Sequence, residues 1–181
     1  MSTSFKIFVG AICFLMASFV AKGQEEKKEE DSETRHKITL EASHTHVPTS
    51  VDNNGKKSWQ VLASWGLNYD FKINRNWNIG IHSDMVIQDF SYEDESGIVK
   101  KRTRPVATAI VGMRKFGDHL SIVGGGGMEV ASEGTLGLVR IGLDYGLEIP
   151  GNWEFSASLM CDFKIKAYNA YVIGFGIGKS F

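Results

Sequence analysis

The stretch Trp59-Gln60-Val61-Leu62-Ala63-Ser64-Trp65-Gly66-Leu67-Asn68-Tyr69-Asp70-Phe71 puts an apolar residue at every odd position. The even positions, Gln60, Leu62, Ser64, Gly66, Asn68 and Asp70, are mostly small or polar. Successive side chains of a strand point to opposite faces, so this period of two describes a strand with an oily side and a wet side. The oily side carries two Trp, a Tyr and a Phe, with aromatics at both ends. That distribution suits a surface facing hydrocarbon between two interfaces better than the inside of a soluble protein.

The pattern recurs along the chain. Eight strand-like segments are expected at about 37–47, 58–72, 77–91, 104–116, 119–131, 135–149, 153–165 and 170–181. In 135–149, Val139, Ile141, Leu143, Tyr145, Leu147 and Ile149 alternate with Leu138, Arg140, Gly142, Asp144, Gly146 and Glu148. In 104–116, Ala107, Ala109, Val111 and Met113 are expected outside and Arg104, Thr108, Gly112 and Arg114 inside. Residues 74–76, 117–118 and 150–152 are suited to tight turns, whereas 48–57 and 92–103 read as longer polar loops. Short turns at one end and long loops at the other fit a closed antiparallel barrel with both termini on the periplasmic side. Asn76-Trp77 and Asn152-Trp153 open two strands at one height, as an aromatic girdle does.

Volume decides which face points in. An eight-stranded barrel has an interior just wide enough for side chains. Trp59, Trp65, Tyr69, Phe71, Trp77, Trp153, Phe155, Phe163, Tyr171 and Phe175 do not all fit there, as a soluble, lipocalin-like barrel would require. The other parity is rich in Gly and Ser, including Ser64, Gly66, Gly142, Ser156, Gly174 and Gly176. The fold class expected is therefore all-β: an eight-stranded antiparallel up-and-down transmembrane barrel.

At 181 residues the chain has room for one domain. Lys6 precedes an apolar run, Ile7 to Ala21, and Ala21-Lys22-Gly23 offers small residues for cleavage, so 1–23 reads as a secretory signal peptide ending near Gly23/Gln24. Residues 24–36 contain no apolar side chain and are expected to be a disordered periplasmic lead-in to a barrel over 37–181. The formal net charge is −1, and removal of Lys6 and Lys22 with the leader makes the chain slightly more acidic, which gives no electrostatic case for nucleic-acid binding. Cys161 alone remains after the leader, so no internal disulfide forms. Its place on the apolar parity marks it as a small hydrophobe.

In its leader, eight alternating strands and C-terminal Phe181, the chain resembles the small eight-stranded outer-membrane proteins typified by the OmpA transmembrane domain and OmpX. Tyr171, Ile173, Phe175, Ile177 and Phe181 look like the terminal strand signal read by the barrel-assembly machinery, with Lys179 a departure from the usual apolar residue. The resemblance is architectural and brings no catalytic motif. It implies a location in the outer membrane of a Gram-negative bacterium, contact with lipid and lipopolysaccharide, and a monomer.

Among the candidate site residues, Glu41, His82, Asp84, Arg114, Glu129, Arg140, Asp144 and Asp162 are expected on the inner face as a polar network that plugs the barrel. Folding the 131–136 connection as a hairpin places Glu129 nearly opposite Arg140. Buried charges need satisfied hydrogen bonds, so a network is expected over isolated pairs. A proton or ion path is the alternative. His44 and His46 form an H-x-H on the outside of the first strand, a spacing that suits two imidazole ligands, with no evident third. Lys100, Lys101, Arg102 and Arg104 lie in a charged loop and could pair with lipopolysaccharide phosphates. An enzyme acting on lipid A would need a His, a Ser and a carboxylate together at the outer rim. Ser43 and His44, being adjacent, point to opposite faces, so no enzyme and no cofactor is expected. The function expected is envelope structure or surface interaction through the outer loops, with a narrow ion or small-solute pore as the alternative and a lipid A-modifying enzyme as the second.

Overall fold

Closure is the organising feature of the fold. The computed structural model describes residues 34–52, 55–94 and 96–181; the leader and most of the lead-in lie outside them. The strands are β1 (His36–Val51), β2 (Lys57–Lys72), β3 (Trp77–Val86), β4 (Phe90–Glu93), β5 (Val99–Arg102), β6 (Val106–Phe116), β7 (Leu120–Ala131), β8 (Gly134–Ile149), β9 (Trp153–Lys164) and β10 (Asn169–Ser180). Eight of them form a closed antiparallel barrel, in the order β1, β2, β3, β6, β7, β8, β9, β10, sealed where β10 pairs with β1 from Lys37↔Ser180 to His46↔Tyr171. Sealing removes the free edges, whose unpaired N–H and C=O groups would cost several kcal/mol each in hydrocarbon (on the order of the burial penalty for an amide).

Both termini lie at one end, where His36 and Phe181 exchange backbone hydrogen bonds of 3.1 and 2.9 Å. The turns at 73–76, 117–119 and 150–152 share that terminal end. The opposite, loop end carries the longer connections after β1 and β3, together with the short β7–β8 and β9–β10 turns. One of these departs from expectation. The segment expected as a single strand over 77–91 stops at Val86, and its last two residues join what reads in sequence as loop 92–103 in a hairpin of β4 and β5. The Asp94 carboxylate caps its tip by accepting the amides of Ser96 and Ile98, and Gly97 takes the left-handed conformation (φ 78°). The hairpin leans on the end of β1 through Ser50↔Tyr92 and Val51↔Ser91.

The outer wall is the oily parity. Trp59, Leu67, Ile110, Phe155 and Phe175 are each more than half exposed, Phe175 at 68 %. No soluble domain leaves such a continuous apolar belt bare, and lipid is the solvent it fits. Ser83 and Thr108 also face out, and their hydroxyls satisfy one another at 3.0 Å.

In β6 the sequence expectation is inverted. Ala107, Ala109, Val111 and Met113 are buried inside, and Arg114 faces out beside Phe116. Both parities of this strand mix apolar and polar residues, so alternation alone does not orient it. Register does: Arg114 is directly opposite Trp77, and cross-strand partners share a face. The inward residues meet Val123, Leu138, Met160 and Val172 in an apolar patch of the lumen wall.

Glycines on the inner face make room for strand neighbours and for charged side chains. A methyl group on Gly127 would meet the Thr108 carbonyl oxygen and come within 2.6 Å of Ala109 Cα, whereas one on outward-facing Gly124 would meet nothing within 4 Å. Gly127→Ala should therefore destabilise the barrel by roughly 1–3 kcal/mol, the usual cost of overpacking. Gly124→Ala should fall within about 0.5 kcal/mol of the parent. Urea unfolding in detergent micelles, followed by tryptophan fluorescence, measures both. Equal midpoints for the two variants would contradict the assigned facing.

Candidate functional site

The lumen is filled by polar groups stacked from the terminal end to the loop end, because each strand delivers its even or odd residues inward at successive heights. At the terminal end Lys37 Nζ lies 2.8 Å from Glu154 Oε1 and 3.7 Å from Asp70 Oδ2, and His82 Nε2 is 2.9 Å from Asp70 Oδ1. Above them the Glu41 carboxylate accepts from Asn68 Nδ2 and Ser158 Oγ, both at 2.6 Å. It lies against three glycines. An added methyl would come within 3.1 Å of its Oε2 at Gly66, 3.0 Å of its Oε1 at Gly174 and 2.8 Å of its Cγ at Gly176. The glycine-rich inner parity is the space into which this carboxylate folds.

Arg140 is the centre of the network. Its guanidinium donates to both oxygens of Asp162, Nε at 2.7 Å and Nη2 at 2.8 Å, while Nη1 lies 2.6 Å from Asp84 Oδ2. All three side chains are buried. A planar fork matched to a carboxylate is the strongest ion-pair geometry available to a protein. Lys164 links this layer to the next, 3.3 Å from Asp162 and 3.4 Å from Glu129.

Glu129 is not paired with Arg140. The β7–β8 turn is tighter than expected, with Ala131 opposite Gly134, so Arg140 faces Gly125 and Glu129 faces Leu136. Glu129 instead accepts from Arg102 Nε (2.9 Å), Arg102 Nη2 (2.7 Å) and the Tyr168 hydroxyl (2.6 Å). Arg102, expected among the lipopolysaccharide-facing residues, is therefore buried inside the barrel mouth. Arg102 ends β5 opposite buried Phe90, at the barrel mouth, while Lys100 and Lys101, nearer the hairpin tip, stay exposed. Arg114, expected in the lumen, lies outside it for the reason given above.

Over this layer sits a cap that sequence reading did not identify. Phe90 and Tyr92 of the hairpin close on Tyr168 of the β9–β10 turn, with ring centroids 5.4 and 4.6 Å apart. Val47, Leu62, Val86, Ala167 and Ala170 complete a buried apolar cluster. The signal was present: Phe90 and Tyr92 share one parity, and Ser96-Gly97 is a turn pair between them and Arg102. Thr39 Oγ1, Asn68 Oδ1, Asp144 Oδ1 and Ser156 Oγ in the terminal half, and Thr49 Oγ1 toward the loop end, are buried without a hydrogen-bond partner. Such groups are ordinarily satisfied by internal water. The lumen thus has a polar lower half beneath an aromatic lid.

On the outside, His44 is exposed, and the Nδ1 of His46 accepts the Trp59 indole N–H at 3.2 Å. Trp59 stacks on Tyr171, so His46 belongs to an aromatic cluster on the outer wall. Among the described residues, no group of three His, Cys, Asp or Glu is placed to hold a metal ion. Lys100 pairs with Asp94 at 2.7 Å, Lys101 with Asp89 at 3.0 Å and Lys57 with Glu93 at 2.9 Å. The Lys100 contact and the two tip amides hold the Asp94 carboxyl below the usual carboxylate range. Thr103 does the same to Glu133 of the β7–β8 turn, down to about 2, through its hydroxyl at 2.5 Å and its amide at 3.1 Å. Arg104 is exposed with φ 41°.

Removing one partner of a buried ion pair strands the other, at a cost of roughly 3–5 kcal/mol. Arg140→Met should lower barrel stability by about that amount. Adding Asp84→Asn and Asp162→Asn should recover most of the loss, since the orphaned charges are then gone. Equilibrium unfolding of the single and triple variants tests this. An Arg140→Met barrel as stable as the parent would show the network to be energetically idle.

No protein-family model matches the sequence, and no curated protein does. Among solved structures, the chain is similar to Ail, the attachment invasion locus protein of Yersinia pestis, in complex with the heparin analogue sucrose octasulfate. That match has a TM-score of 0.53 at 15 % identity and covers 82 % of this chain and 99 % of that one. It is also similar to the outer membrane protein OprG from Pseudomonas aeruginosa, with a TM-score of 0.54 at 10 % identity over 85 % of this chain and 99 % of that one. At these identities the likeness is one of fold. The chain has the closed, eight-stranded antiparallel fold of the outer-membrane β-barrels.

Proposed function

We propose that this protein is a non-conducting barrel of the Gram-negative outer membrane that acts through its outer face and carries no reaction in its lumen. The observation that supports this most directly is the double seal: the Arg140–Asp84–Asp162 cluster, then the Phe90–Tyr92–Tyr168 lid. An ion crossing the barrel would have to break a buried bidentate pair and then pass through an apolar aromatic layer. Both steps are costly in a low-dielectric interior.

On this reading the barrel inserts as a monomer, through assembly machinery that reads β10 and Phe181, with its hairpin and β1–β2 loop outside the cell. The partners are membrane lipid and lipopolysaccharide. Ion pairing leaves Lys100 and Lys101 neutralised within the hairpin, so Arg104 at its base is the residue we assign to lipopolysaccharide phosphate. No catalytic role and no cofactor belongs to this reading.

Planar-bilayer recording tests it, with insertion verified beforehand by protease resistance of the folded barrel. The expected result is an electrically silent membrane. Stable ohmic steps from the parent protein would overturn the reading in favour of a narrow pore.

A further inference from the structure

The two halves of the lumen differ in charge balance. Around Arg140 and toward the lid, Arg102, Arg140 and Lys164 face the carboxylates of Asp84, Asp162 and Glu129, one for one. Toward the terminal end, Lys37 is the one lysine set among the inward carboxylates of Glu41, Asp70, Asp144 and Glu154, and its ion pairs are with Asp70 and Glu154. The rim adds Lys72 and the Lys115–Glu148 pair, which leaves carboxylates in excess. His82, on Asp70, does not remove that excess even when protonated. Glu41 is buried at the centre of this half, and both of its hydrogen-bond donors, Asn68 Nδ2 and Ser158 Oγ, are neutral. Acceptors around it are unmet. Asn68 gives its N–H to Glu41, which leaves Oδ1, an atom that can only accept, without a partner. Ser156 Oγ and Thr39 Oγ1 are also unpartnered, and both residues converge with Glu41 on Gly176. A methyl there would come 2.7 Å from Ser156 Oγ, 2.8 Å from Glu41 Cγ and 2.9 Å from Thr39 Cγ2. Asp144, whose Oδ1 is unpartnered, lies directly opposite Ser158. Thr39, Asn68 and Ser156 are each more than nine-tenths buried.

We propose that this half of the lumen binds a hard metal cation of the calcium or magnesium class beside Glu41 and Asp144, entering from the terminal end. A buried carboxylate without a counter-charge is costly. Water can satisfy the orphaned oxygens but brings no charge, whereas a cation supplies both needs at once. The unmet donors are all oxygens, and oxygen selects hard cations over zinc or copper, which favour imidazole and thiolate. No three carboxylates converge among the described residues, so the ion keeps part of its water and touches neutral oxygens as well as carboxylate. Magnesium is commonly held in this way, and the flexible shell of calcium tolerates it. The side chains of Lys37 and Glu154 are 18 % and 17 % exposed at the terminal end, which is the way in. The direction of entry rests on the seal proposed above, but the site does not. Conduction by the parent protein would overturn that seal and leave the ion count unchanged.

Equilibrium dialysis of the folded, chelator-treated barrel in detergent tests the proposal, with Ca2+ or Mg2+ added, choline chloride holding the ionic strength, and the retained metal measured. The parent should retain about one ion per barrel of at least one of the two metals. Its urea midpoint should rise with that metal, as binding to the folded state alone requires. Glu41→Gln should abolish retention. Asp144 takes no part in an ion pair among the described residues, so Asp144→Asn keeps the test alive if Glu41→Gln does not fold, and it should weaken retention about tenfold. Asp89→Asn, which removes an exposed acid of the outer hairpin, should leave retention unchanged. Retention of neither metal by the parent would overturn the proposal and assign the charge balance to a bound proton. Undiminished retention by folded Asp144→Asn and Glu41→Gln would overturn it too, as would an equal loss in Asp89→Asn, which would put the ion on the outer surface.

Discussion

A backbone crossing hydrocarbon has no water to satisfy its amides, and every other feature of this protein follows from that constraint. It requires β10 to close on β1, which fixes an even number of staves and brings His36 and Phe181 together at one end. Closure at eight strands fixes a narrow bore. A narrow bore cannot take the Trp, Tyr and Phe of the chain, so they stand outward, and the inner parity is left to glycine, serine and charge.

Charge in a narrow, mostly dry tube is tolerable only when paired and fully hydrogen-bonded. The chain meets most of that condition with two groups of ion pairs, one toward each end. Lys37 and His82 hold Asp70, Arg140 bridges Asp84 and Asp162, and Lys164 joins this layer to Glu129. Arg102 extends the network beyond the barrel wall. It belongs to the hairpin, yet its guanidinium ends inside the mouth on Glu129, so the outer lid is tied to the lumen by an ion pair as well as by aromatic contact. The outer surface and the interior are for that reason one mechanical unit. Four of the five unpartnered buried oxygens among the described residues, those of Thr39, Asn68, Asp144 and Ser156, lie on the other side of Arg140 from the lid, and the fifth, Thr49 Oγ1, lies toward the loop end.

Legibility in the sequence depended on contrast between the two faces. In β2 and β8 one parity is oily and the other small or charged, and the facing of Trp65, Tyr145, Arg140 and Asp144 could be read directly. In β6 both parities carry apolar residues, so alternation favours Arg114 as lining, and only its cross-strand neighbour Trp77 accounts for an arginine on the outer face. Partners across strands were not legible. A two-residue difference in the β7–β8 turn moves every pairing on β8, and Glu129 exchanges Arg140 for Arg102. The lid is hidden for a related reason: Phe90 falls in the segment expected as wall and Tyr92 in the polar loop expected after it. The end of β3 at Val86 is what takes both out of the wall and into a hairpin over the mouth.

The central claim is that the lumen is closed toward the outer face and open, at most, toward the periplasm. Ser156, buried in the lower half with an unpartnered hydroxyl, is the position that reports on it. Ser156→Cys in a Cys161→Ala background, reconstituted with one orientation in vesicles, can be treated with a small membrane-impermeant cationic thiol reagent from either side. The account expects modification only when the reagent is supplied at the end that carries the termini. Modification at a comparable rate from the loop end would mean that the Phe90–Tyr92–Tyr168 lid and the Arg140 cluster do not close the barrel.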